Sequence, residues 1–242
     1  MVRAADFRLS SIQFTIFTPG LLFIPSKILG FVLTKWGELF DAAPVSMPLP
    51  PEAPSEIPRI ILQSSDGRSK LELAPSRANM FWLRQADTDE IKAEDFLGLA
   101  TNLLWEYTAT VNGKVGRIAM VLNRFVKHEN PGVFLAQHFC KDKWQTAPFN
   151  RPESFEIHGH KRYVLNNQFN INSWVRCKTG LIKLPDQQKI ILVEQDINTF
   201  PEETETREFS NGQIKEFCRI GSNELNSILS LYFPEGELYG IA

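Results

Sequence analysis

The side chains best suited to chemistry lie between Phe155 and Cys177. Apolar and polar types alternate there, as on strands that show one face to a core and one to water. A three-residue turn at Asn166-Asn167-Gln168 pairs Leu165 with Phe169, Tyr163 with Ile171 and Ile157 with Cys177. That register gathers Phe155, Ile157, Tyr163, Leu165, Phe169, Ile171, Val175 and Cys177 on one face. A slip of one residue would mix apolar and polar groups on both faces, so the pattern selects this pairing.

The opposite face then carries Glu156, His158, His160, Arg162, Asn170, Asn172, Trp174 and Arg176, with His160 across from Trp174 and His158 across from Arg176. His158 and His160 form an HxH pair that can chelate a divalent metal once a third ligand arrives, Asp196 or Glu194 being the carboxylates at hand. Arg162 and Arg176 beside Trp174 suit a phosphate and a stacked base. Trp and Arg also dominate protein-binding hot spots. Alternatively, the face is simply the wet side of a half-exposed antiparallel sheet.

Other candidate groups point to structure. His138 falls on the apolar stripe of its segment, and His128 stands at a strand end. Cys140, Cys177 and Cys218 are odd in number and widely spaced, which suits buried thiols better than disulfides or zinc knuckles. The chain has no P-loop, no GxGxxG after a strand, no GxSxG and no HExxH. Binding is therefore favoured over catalysis, and no cofactor is expected.

Alternating and helical stretches must position the hairpin. A strand over about 7–17 precedes a helix opened by Pro25, with Ile28, Val32, Trp36, Leu39 and Phe40 on one stripe. Residues 42–58 hold six prolines and predict a stiff extended connector. Strands follow around Ile60, Leu71 and Met80, then a helix capped by Thr88 with a stripe from Ile91 to Tyr107. The second half repeats the order: a strand over about 115–127, a short helix from Pro131, strands over about 155–165, 169–177 and 189–197, and a helix over about 212–233. The pattern predicts one α+β domain over 1–242, an antiparallel sheet with helices on one face. It is built from a duplicated β-α-β-β-β-α unit with halves 1–113 and 114–242.

The apolar share of 43% and charged share of 22% over 242 residues are those of a globular chain. Residues 12–33 are apolar but broken by Gln13, Pro19, Pro25 and Lys27, so neither a membrane span nor a signal peptide is expected and the cytoplasm is the expected location. Net charge is −2, yet residues 114–183 carry +8 and residues 184–242 carry −7. The basic middle meets either an anionic partner, nucleic acid included, or the chain's own acidic third. Oligomeric state is not encoded in any recognisable pattern.

Three segments bear a resemblance. Arg117-Ile118-Ala119-Met120, followed by Asn123-Arg124, resembles the "R-I-G-L…N-R" strand of a sporadically distributed family of uncharacterised prokaryotic proteins of similar length. Val193-Glu194-Gln195-Asp196-Ile197 resembles its "L-D-I-D" strand, and Leu229-Ser230-Leu231-Tyr232-Phe233 its closing segment. The sequence departs from the pattern at Val121 and Glu194. The resemblance implies no defined activity. It singles out Arg117, Asn123 and Asp196, and its patchy distribution implies an accessory protein, in antiviral defence. The expected function is thus a non-enzymatic binding or accessory protein holding an anionic or protein partner. The alternative is a metal-dependent hydrolase or nuclease using His158, His160 and Asp196.

Overall fold

A computed structural model describes residues 2–50, 52–142, 146–147 and 150–235. In chain order the elements are β1 (Arg8–Phe17), α1 (Pro25–Trp36), β2 (Val45–Ser46), β3 (Ile60–Gln63), β4 (Ser69–Leu73), β5 (Arg77–Leu83) and α2 (Ala93–Thr110). Then come β6 (Arg117–Lys127), α3 (Pro131–Phe139), β7 (Glu156–Leu165), β8 (Phe169–Lys183), β9 (Gln187–Thr199) and α4 (Asn211–Tyr232). The nine strands form a continuous antiparallel sheet in the order β2-β3-β4-β5-β1-β6-β9-β8-β7.

The duplicated order of elements reappears in space. From the centre outward, one half runs β1-β5-β4-β3 and the other β6-β9-β8-β7, the same sequence of first, fourth, third and second strand. The two first strands, β1 and β6, pair antiparallel at the middle. The fold is α+β, as the two periodicities predict.

One face of the sheet is largely apolar. Ile12, Phe14 and Ile16 of β1 lie beside Ile118, Met120 and Leu122 of β6, then Ile197 of β9 and Ile171 of β8. Helix residues Ile28, Val32, Phe96, Leu104, Ile214 and Phe217 join them in one buried cluster, and Leu135 of α3 covers Cys177 and Val193 in a second. The four α-helices therefore pack on this face, and among the described residues no α-helix covers the other.

Several boundaries differ from the sequence expectation. Residues expected to continue the first helix, Leu39 and Phe40, instead fold back with their N–H groups on Trp36, which turns Phe40 into the core. The proline-rich connector does hold regular structure: Val45 and Ser46 pair with β3. Thr88 does not cap α2, which starts at Ala93. Asp89 accepts N–H bonds from Gln85 and Ala86 and pairs with Arg68, so residues 85–89 form a stitched turn instead. α4 has the capping box missed in the sequence, with Ser210 and Gln213 bonding reciprocally. No described helix is long and apolar enough to cross a membrane.

Two glycines mark where layers meet closely. A Cβ on Gly116 would lie 1.9 Å from the backbone carbonyl of Thr204, whereas one on Gly221 would lie 2.9 Å from the flexible tip of Met120. Gly116→Ala is expected to cost about 1–3 kcal/mol in urea unfolding, and Gly221→Ala less, because a methionine tip moves more easily than backbone.

Candidate functional site

The expected hairpin forms with the expected register: Leu165 faces Phe169, His160 faces Trp174 and His158 faces Arg176. Asn166 and Asn167 take left-handed backbone conformations in the turn (φ 50° and 52°), which asparagine tolerates better than most residues. The polar groups lie on the helix-free face, in ranks that run across the strands. One rank reads Arg162, Asn172, Asn198, Ala119, Thr15, Asn79. The next reads His160, Trp174, Asp196, Val121, Gln13. A third reads His158, Arg176, Glu194, Asn123, Ser11.

These ranks decide what each candidate can do. Trp174 stands between His160 and Asp196, and Arg176 between His158 and Glu194, so the proposed set His158, His160 and Asp196 is not brought together. Among the described residues no group of three or more His, Cys, Asp or Glu is placed to hold a metal ion. His160 instead stacks on Trp174 with ring centroids 4.0 Å apart, and its Nε2 bonds Asn172. His158 approaches the same indole at 6.3 Å.

The cations of the face have carboxylate partners. Arg176 pairs with Glu156 at 2.9 Å and Glu194 at 3.4 Å, and Lys178 with Glu194 at 2.8 Å. Arg162 pairs with Glu202 at 2.9 Å and lies over the Phe200 ring at 3.9 Å. Asn170 donates to Glu203 at 2.6 Å. Glu194, Glu202 and Glu203 belong to the acidic C-terminal third, so that third compensates the basic middle at these positions. Such exposed pairs contribute little to stability, but they lower the attraction of the face for a polyanion.

The positions singled out by the resemblance all lie on this face. Arg117 stacks on Phe17 at 4.4 Å and donates to Asn198 Oδ1 at 2.8 Å; Asn198 donates in turn to Asp196 at 3.0 Å. Burial pulls the Arg117 guanidinium below its ordinary pKa, opposed by the charge of Asp196. Burial pushes the Asp196 carboxyl above its ordinary value, opposed by the Asn198 bond and the charge of Arg117. Asn123 donates to Ser11 Oγ at 2.8 Å, while its Oδ1 is buried without a hydrogen-bond partner.

A depression of about 430 Å³ opens where the second and third ranks meet, lined by Val121, Asn123, His158, Trp174, Arg176, Glu194 and Asp196 among others. Trp174, 40% exposed, forms one wall. Both positions that depart from the family pattern, Val121 and Glu194, line this hollow. Sequence reasoning missed Asn198, which links Arg117 to Asp196; the signal was its alternation with Asp196 along β9. It also missed Arg124, which faces the helices, bonds Gln195 and Asn226, and is drawn down to about 10 by burial. His138 is half-buried rather than in the core, and it is satisfied, bonded to the Tyr232 carbonyl at 2.6 Å and stacked on Phe233. His128 accepts the Asn130 N–H.

Comparison with known protein families and with curated proteins finds no match for this chain. The likeness to the prokaryotic family rests on its three short segments, and function must be argued from the site.

The raised Asp196 pKa has a consequence for stability. A carboxyl whose folded pKa lies above its unfolded value binds its proton first in the folded state, so stability rises as pH falls through the folded pKa. At neutral pH the buried charge is a cost. Asp196→Asn is expected to stabilise the fold at neutral pH and to flatten the pH dependence above the ordinary carboxylate range of about 4. Urea unfolding across pH 4–8 checks both signs.

Proposed function

We propose that this chain is a non-enzymatic binding protein that holds a partner protein on its helix-free face, with Trp174 as the anchor. The observation that carries this reading is the exposed indole at the wall of the depression. A large aromatic group presented beside an arginine and polar rim groups is the composition of an interface hot spot. Stacking on His160 holds the indole in place before a partner arrives, which reduces the ordering cost of binding. Asp196, lining the same depression, favours a partner group that donates hydrogen bonds.

The anionic partner is the less supported reading. Arg162, Arg176 and Lys178 already have carboxylates beside them, and a nucleic acid would have to displace these or bind over them. Trp174→Ala separates the possibilities, because its ring is exposed and its loss spares the core. Partner affinity, measured by calorimetry with the protein that co-purifies from the native cell, is expected to fall at least about tenfold, as at a central hot spot. Binding of single-stranded nucleic acid that weakens steeply with salt and depends on Trp174 would instead establish the anionic partner.

A further inference from the structure

The two edges of the sheet are built differently. At one end stands β2, two residues long and lying between Pro44 and Pro48. Short, proline-flanked edges resist pairing with other strands. At the other end stands β7, ten residues long, without proline and, among the described residues, paired only with β8. Phe155 accepts from the Thr179 N–H at 3.1 Å. The ladder then turns the backbone groups of odd-numbered residues toward β8 and those of even-numbered residues, Glu156 to Val164, toward the free edge.

The side chains on this edge are complementary to themselves. Outward from Gly159 come His158 and His160, then Ile157 and Lys161, then Glu156 and Arg162. Antiparallel pairing with a second copy about Gly159 sets each Glu156 against the partner's Arg162 and each His158 against the partner's His160, with Glu156 and Arg162 exchanging Arg176 and Glu202 of their own chain for one another. It also pairs even-numbered residues with even-numbered ones, as the outward backbone groups require. On the helix side, Leu231 is 79% exposed and lines a hollow of about 350 Å³ with Gly159, Lys161 and Tyr232.

We propose that β7 pairs with β7 of a second copy about Gly159, and that the four histidines so assembled bind a zinc ion across the interface. Directly opposed side chains on antiparallel strands have Cβ atoms about 5 Å apart, and four imidazole nitrogens satisfy tetrahedral zinc. Asn172 engages His160 Nε2, so Nδ1 is the nitrogen left to serve as ligand, and the stack on Trp174 fixes the ring. Arg176 lies on the β8 side, away from the free edge, with its charge matched by Glu194. This site does not depend on the role proposed for Trp174.

Sedimentation velocity of the full chain, with EDTA and with zinc alone, tests the proposal. Zinc is expected to drive dimer formation with one ion per two chains. Free zinc at about a hundred times its Kd should tighten the dimer about a hundredfold by linkage. His158→Ala/His160→Ala should abolish the zinc response. Glu156→Arg should weaken the zinc dimer, and Glu156→Arg/Arg162→Glu should restore it. The substituted side chains are exposed, and an unchanged circular dichroism spectrum controls for folding. A chain that stays monomeric with zinc, associates equally in EDTA, or keeps its zinc response in the double alanine variant overturns the proposal.

Discussion

A sheet of nine strands with its helices on one face must divide its residues, because neighbouring side chains on a strand point opposite ways. The main core forms under the helices, and the other half of each strand is mostly polar apart from a small apolar cluster of Phe125, Leu184 and Ile190. In this chain Phe14, Met120, Ile197 and Ile171 anchor the buried half beneath the helices. The same strands must then present Gln13, Val121, Asp196 and Trp174 on the far side. The candidate site is thus a direct consequence of how the core is made.

The exposed half is not a featureless wet surface. Polar side chains hold one another in short chains, Thr15 with Asn79 and Arg117 with Asn198 and Asp196. Carboxylates from the C-terminal third stand beside the cations of the hairpin. What is left open is local: one indole beside a carboxyl held above its usual pKa, on the walls of one depression. That combination suits recognition of a shaped, largely uncharged or basic surface more than capture of a polyanion.

The hairpin register was legible because only one pairing segregates apolar from polar residues between Phe155 and Cys177, and a strand cannot slip without exposing its core face. The duplicated layout was legible from the order of periodicities. The charge pairing was only half legible: the totals by segment were visible, but not that Glu202 and Glu203 reach Arg162 and Asn170, since that depends on the path of the loop after β9. The start of α2 was misread because Thr88 looks like a cap, whereas Asp89 draws the preceding residues into a turn. Asp196 was wrongly grouped with His158 and His160, because strand order across the sheet puts Trp174 and Arg176 in the gap.

Both ideas about interaction follow from the same architecture, since a face without helices and an edge without a neighbour are what a one-sided sheet leaves over. The most direct measurement is cross-linking mass spectrometry of the chain with its partner in the native cell. Links to the partner are expected to concentrate on Lys178, Lys127 and Lys70, which lie on the helix-free face. Links concentrated on Lys35 of α1 and Lys215 of α4, with the sheet lysines unlinked, would contradict the account.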